Sequence, residues 1–197
     1  MRKNTRDQIL SSALRLFSER GFLGATTKEI ARQAGISEVT LFRHFSNKEK
    51  LFISVLNKYA FLPILKELIL KGKHRPIRNT LIEIAKAFLR ALQNNKALVR
   101  IMQAEIKRYP DPIKKVYKNL IDDTVGELAQ FFNESQDKGE IVSLDPFILA
   151  QAFLGLFYSY FLCIEMKESM GLTEHPEDLI INTYVDVFLQ GILLKGG

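Results

Sequence analysis

The stretch TTKEIARQAGISEVTLFRHFSNKEKL, residues 26–51, leaves its backbone few choices. Thr26 and Glu29 stand three apart as a capping box: the hydroxyl takes an orphan amide of a helix start, and the carboxylate reaches back to the cap. Ile30, Ala31 and Ala34 supply the apolar side of a two-turn helix. Gly35 follows where a helix end needs a residue that tolerates positive φ. Ser37 opens a second short helix, with Leu41 and Phe45 four apart on its inward side. Glu38, Val39, Thr40, Arg43 and His44 are left to face outward. Ser46 and Glu49 repeat the capping-box spacing ahead of Leu51, Phe52, Val55 and Leu56, which predicts a longer third helix. Two short helices at a glycine turn with a supporting helix behind form a helix-turn-helix, which lays one helix in the major groove of DNA.

The excess charge sits in the same place. The 197 residues carry 28 Lys/Arg and 22 Asp/Glu, a net charge of +6. Residues 1–60 hold 11 of the basic and 5 of the acidic side chains; the 17 of each that remain in the rest of the chain cancel. Basic groups that neutralise phosphates release condensed counterions, giving salt-sensitive affinity that is largely independent of sequence. A charge excess alone also describes an ordinary solvated surface. Its coincidence with the helix-turn-helix is what favours nucleic acid.

The rest of the chain reads as helix after helix. Thr5 and Gln8 cap a first helix whose Ile9, Leu10, Ala13, Leu14 and Phe17 form one stripe, ended by Gly21. The helix opening after Ser46 runs toward Pro63, where a kink or break is expected because proline removes an amide and clashes with the preceding turn. Gly72 closes that region, and Pro76 suits a first helical position before Ile77, Leu81, Ile84, Ala85, Phe88 and Leu92. A shorter helix follows at residues 97–107, then a connection at Pro110 and Pro112. A long amphipathic helix from Ile113 carries Val116, Tyr117, Leu120, Leu128, Phe131 and Phe132 and ends at Gly139. Asp145-Pro146 starts another helix, and Pro176 starts the last, which stops at Gly196-Gly197. The expected fold is all-α with about nine helices. A three-helix DNA-binding unit at residues 1–60 is joined to a helical effector-binding and dimerisation bundle at residues 61–197. A boundary near residues 47–60 would fall inside a helix and tie the two rigidly.

At 47% hydrophobic the chain can bury a substantial core. Its single cysteine, Cys163, excludes an intrachain disulfide and fits a reducing cytoplasm. The first residues show no apolar run of the kind a signal peptide needs. Residues 147–164 are the candidate membrane span, but they contain Gln151 and Ser159 and fall short of the ~20 residues a bilayer asks for. A buried interface helix explains them better, so no membrane is expected.

The pattern Thr26-Thr27-x-x-Ile30-Ala31-x-x-Ala34-Gly35-Ile36-Ser37, continued by Leu41-Phe42-x-His44-Phe45-x-x-Lys48-Glu49-x-Leu51, resembles the N-terminal signature of the TetR family of transcriptional regulators. The match covers about the first third of the chain. Two positions depart from it. Phe42 stands where the family usually has a tyrosine whose hydroxyl touches a phosphate, so that contact is lost. Val39 stands where a small residue is common; it either hinders close backbone approach or makes an apolar contact to a thymine methyl. The resemblance implies a homodimeric, ligand-responsive repressor bound to a palindromic operator, in which movement near Pro63 swings the recognition helix. Half-sites about one turn of DNA apart tolerate little change in the separation of two such helices.

The candidate DNA-binding residues are Thr26, Thr27, Lys28, Ser37, Glu38, Val39, Thr40, Phe42, Arg43, His44 and Lys48. Thr26 and Thr27 lie at a helix start, where hydroxyls and free amides favour a phosphate, although simple capping uses the same groups. Lys28 reaches guanine or phosphate. Glu38 is suited to accept from a cytosine amino group and Arg43 to pair with guanine O6 and N7; a salt bridge between these two would spoil both. Thr40, His44 and Lys48 are assigned to the backbone, with partial packing the alternative for His44.

The C-terminal part is apolar. Phe147, Phe153, Phe157, Tyr158, Tyr160, Phe161 and Cys163 surround one helix on nearly every side, so it must be buried on several of them. A second subunit, meeting this helix and the last one (Leu179, Ile180, Tyr184, Val187, Phe188, Ile192), supplies the missing cover in a two-fold dimer. Gly155 and Ser159 would let another helix approach closely, within the chain or across the dimer. Phe88, Leu92, Met102, Tyr117, Phe131, Phe153, Phe157 and Tyr160 are candidates to line a pocket for a small apolar or aromatic effector; the alternative is ordinary core. Catalysis is not expected: His44, His74 and His175 have no histidine or cysteine partner at i+3 or i+4, and no phosphate loop or nucleophile elbow is present. No metal or cofactor is expected either. The rival reading is a helical carrier or sensor of apolar molecules that binds nucleic acid non-specifically. Operator identity, effector identity and repression against activation are not written in the chain.

Overall fold

The computed structural model describes residues 4–169 and 176–193. His175 and the terminal glycines Gly196 and Gly197 lie outside the described residues. Among these residues the chain forms ten α-helices, one 3-10 turn at Ile106–Arg108 and no strand; a single antiparallel bridge joins Ile141 and Leu193. The helices are α1 (Thr5–Gly24), α2 (Thr27–Gln33), α3 (Glu38–His44), α4 (Lys48–Lys58) and α5 (Leu62–Gly72), followed by α6 (Ile77–Asn94), α7 (Lys96–Glu105), α8 (Asp111–Asp137), α9 (Pro146–Ser169) and α10 (Glu177–Ile192). The all-α expectation holds. The expected kink at Pro63 is a full break, and the separate helix α5 carries that proline in its first turn, where its missing amide costs nothing.

Two compact units emerge, and the chain visits the first one twice. One unit comprises Met1–Ala60 and Asn95–Leu120; the other comprises Phe61–Asn94 and Ile121–Gly197. The edge at residue 60 lies between α4 and α5, so the sequence-based expectation of a boundary inside a helix is corrected there. Tyr59 caps α4 and Phe61 already caps α5. The helix divided between the units is α8, whose residues 111–120 belong to the first and 121–137 to the second.

In the first unit α1 packs on α2, α4 and α7 around Ile9, Leu10, Phe17, Phe22, Leu51 and Phe52, joined by Leu98, Met102, Tyr109 and Ile113 from the returning segment. Phe17 and Phe52 meet edge to face with ring centroids 4.6 Å apart, and Tyr109 meets Phe52 the same way at 5.7 Å. In the second unit α6 packs on α5, α9 and α10. Its aromatic centre is a chain of rings: Phe132, Phe153, Phe157 and Phe188, with Tyr184 touching Phe157 and Tyr160. Arg78 forks onto Asp186 at 2.6 and 3.0 Å and onto Asn182 at 3.1 Å, and Lys86 pairs with Asp178 at 2.9 Å, so α6 and α10 are also held by charge.

Candidate nucleic-acid interface

The capping box at Thr26 is formed in full. Its hydroxyl accepts the Glu29 amide at 3.2 Å, while the Glu29 carboxylate accepts the Thr26 amide at 3.3 Å and the Thr26 hydroxyl at 2.8 Å. Arg20 adds a charge-assisted contact to Glu29 at 2.5 Å. The Thr26 hydroxyl, with help from Arg20, holds the Glu29 carboxyl below the usual carboxylate range. Ile30 and Ala31 are buried, and α2 closes on Gly35 at φ 68°. There the Ile36 amide reaches the Ala31 carbonyl and the Gly35 amide reaches Arg32, the paired closure that needs a left-handed residue.

Ser37 caps α3 by accepting the Thr40 amide at 3.1 Å, and the two hydroxyls lie 2.9 Å apart. Leu41 and Phe45 are buried as their spacing requires. Val39 is 74% exposed and Phe42 44% exposed, and Arg43 and His44 are also exposed. Glu38 is half-buried: its carboxylate accepts the Thr27 hydroxyl at 2.6 Å and so stitches α3 to α2. The suspected ion pair between Glu38 and Arg43 is not among the salt bridges of the described residues. Because a hydroxyl has one proton, Thr27 cannot donate to Glu38 and to a phosphate at once. Lys28 is exposed.

Two caps are corrected by one residue. The helix after the turn is capped by Asn47, whose side chain accepts the Lys50 amide at 2.8 Å, not by the Ser46–Glu49 box. The first helix is capped by Asn4 through the Arg6 amide at 3.1 Å, not by Thr5. In each case an asparagine beside the expected residue is at least as good a cap. Lys48 opens α4 half-buried, its ammonium 4.5 Å from the centre of the Phe22 ring; burial pulls its pKa down. The Arg6 guanidinium lies 4.9 Å from the centre of the Phe45 ring.

Sequence reasoning missed the support behind this surface. Gly21 has φ 69° and ψ 175° and breaks the helical run of α1. Just beyond it, the Phe22 amide donates to the Tyr109 hydroxyl at 3.2 Å, and that hydroxyl donates to Glu105 at 3.0 Å. Burial above all, with Glu105 assisting, pushes the Tyr109 phenol up to about 12. Tyr109 lies 87 residues from Phe22, so no local period could have revealed the contact.

The candidate effector residues divide between the units. Met102 is buried in the core of the first unit and Tyr117 packs against that core. Phe131, Phe153, Phe157 and Tyr160 are buried in the second unit, as is Leu92, while Phe88 is half-buried with its ring 5.1 Å from Phe61. Phe131 also forms part of the wall of a shallow cleft with Lys73, Arg75, Ile77, Ser135 and Lys138.

Known proteins share this arrangement. Residues 9–55 match the family model described as bacterial regulatory proteins, tetR family, and residues 79–191 match the AefR-like transcriptional repressor C-terminal domain. The chain is 25% identical over 190 residues to the uncharacterised HTH-type transcriptional regulator YvkB of Bacillus subtilis, covering 95% of this chain and 97% of that one. It is 29% identical over 167 residues to the HTH-type transcriptional regulator UidR of Escherichia coli, covering 83% of each. Its fold is similar to that of FadR from Bacillus subtilis, solved in complex with stearoyl-CoA, with a TM-score of 0.76 at 19% identity over 94% of this chain and 98% of that one. With the second family model alone spanning more than half of the sequence, the chain belongs to the TetR family of bacterial transcriptional regulators.

Proposed function

We propose that the chain is a homodimeric, ligand-responsive repressor that binds a palindromic operator in the cytoplasm and is released by a small apolar or aromatic effector. The observation that carries this reading is the outward face of α3. Val39, Phe42, Arg43 and His44 project from a short helix fixed at both ends, within the part of the chain that holds the whole excess of positive charge. Arg43 pairs with guanine O6 and N7, and Lys28 reaches guanine or phosphate. The amides at the start of α2, beside Thr26 and Thr27, together with Ser37, Thr40, His44 and Lys48, set the register on the phosphate backbone.

The dimer is supported by the last two helices. Along α9, Ile148, Gln151, Ala152, Gly155, Ser159, Leu162, Cys163 and Met166 form a single exposed stripe without a charge. Ile148 is 64% exposed, nothing among the described residues lies within 4 Å of a Cβ placed on Gly155, and Ser159 is exposed, which leaves both small residues open to a second helix. On α10, Leu179, Thr183 and Val187 are exposed at matching spacing. An uncharged, largely apolar stripe of this length is better explained as a subunit interface than as a solvated surface.

The effector reading is supported by the aromatic core of the second unit and by the fold shared with FadR, which was solved with stearoyl-CoA. An effector acts only if it binds two arrangements of the protein unequally. The test is to recover genomic fragments bound by the full-length protein and titrate salt on a recovered palindrome and its scrambled version. The expected preference at physiological salt is about a thousandfold or more. Equal affinity for the two duplexes would instead identify a non-specific binder of nucleic acid.

A further inference from the structure

We infer that α3 selects its operator through thymine 5-methyl groups, contacted by an apolar ridge made of Val39 and Phe42. The inference rests on the reading of the chain as a DNA-binding regulator and adds the chemical feature of the bases that it selects.

Val39 and Phe42 are three residues apart on one helix and therefore share a face. Both project into solvent, at 74% and 44% exposure, while Leu41 and Phe45, the latter in the extended cap that ends the helix, are buried in the core. The polar side chains beside them are partly committed to neighbours within the chain. Glu38 holds the Thr27 hydroxyl, and Thr40 is tied to Ser37 through both its amide and its hydroxyl. The exposed side of α3 is thus an apolar pair, followed by Arg43 and His44.

The charge of the surroundings says what occupies this ridge. Residues 1–60 carry 11 basic and 5 acidic side chains, so the ridge is framed for a polyanion and not for an apolar protein face. Within the major groove, the base-edge group that rewards an apolar contact is the C5 methyl of thymine. Placing Val39 or Phe42 against the amino or carbonyl edge of a G·C pair would strip water from that edge and return no hydrogen bond. The ridge therefore favours thymine twice, by burying its methyl and by penalising the alternatives. Phe42 has no hydroxyl for a phosphate, which leaves its ring for this contact.

The experiment selects duplexes from a randomised pool with the full-length protein and resynthesises the enriched duplex with deoxyuridine replacing thymidine, one position at a time. Deoxyuridine keeps the pairing edge and O4 and removes only the methyl. Wild type is expected to lose about fourfold in affinity for each contacted methyl. Val39→Ala and Phe42→Ala should each lose that sensitivity at the position their side chain reaches, while Arg43→Ala keeps it. All these positions are exposed, and unchanged melting temperatures will show that the variants fold; Phe42→Tyr, which keeps the ring, should retain the response. Enrichment of duplexes that wild type binds equally with thymidine or deoxyuridine overturns the methyl reading and leaves the regulator standing. No enrichment of any sequence overturns both.

Discussion

At the scale of single residues, one position sensitive to substitution lies outside the exposed helix. Gly21 takes a φ of 69°, and a Cβ placed there would run into the Glu105 carboxylate. Gly21→Ala meets both obstacles, left-handed strain and a collision, and should destabilise the fold by about 1–2 kcal/mol or more. Thermal unfolding of the variant measures this; an unchanged melting temperature would mean that the bend relaxes freely. Tyr109, on the same contact, makes stability depend on alkaline pH. A phenol titrates near 10 in the unfolded chain and near 12 in the folded one, so its contribution is complete below pH 10 and disappears as the pH climbs to about 12. Tyr109→Phe removes that dependence and leaves the Phe22 amide without its acceptor, at a cost of about 1–3 kcal/mol at neutral pH. Melting curves at pH 8 and at pH 11 for the two proteins should therefore converge as the pH rises. At the DNA surface, Arg43→Ala is expected to relax sequence preference and Lys48→Ala to weaken binding to every duplex. The Lys48 variant should also lose some stability, because its side chain packs over Phe22. Equal losses on operator and random DNA for both variants would refute that division of labour.

At the scale of elements, signals local in the chain are legible and distant ones are not. The box at Thr26 and Glu29, the left-handed Gly35, and the inward Leu41 and Phe45 all follow from spacings of three or four residues, which one turn of helix enforces. The two misplaced caps, Ser46 for Asn47 and Thr5 for Asn4, slipped because neighbouring side chains compete for the same orphan amides. The break before α5 was legible from Pro63, since proline disrupts whatever helix precedes it. By contrast, the bond between Thr27 and Glu38 spans the turn between helices, and Arg20 reaches Glu29 across the bend at Gly21. Periodicity reports the face of a residue and not its partner. For the same reason apolar side chains scattered between Phe88 and Tyr160 read as one set of pocket candidates, whereas Met102 and Tyr117 pack with the first unit.

At the scale of the whole molecule, the uncharged stripe along α9 and the exposed Leu179 and Val187 on α10 predict a two-fold dimer. Ile148→Glu or Val187→Glu places a charge within that contact, where it would have to be buried unpaired. Light scattering at micromolar concentration should report a dimer for wild type and a monomer for either variant, with DNA affinity falling as the second recognition helix is lost. A wild-type monomer would contradict the arrangement. The division of the chain also bears on synthesis. Leu98, Met102, Tyr109 and Ile113 complete the core that holds the DNA-reading helices. A ribosome therefore makes some 50 residues beyond Ala60 before that head can close. The nascent protein is expected not to engage DNA until more than half of it has been translated, and a fragment ending at residue 60 should stay largely unfolded by circular dichroism.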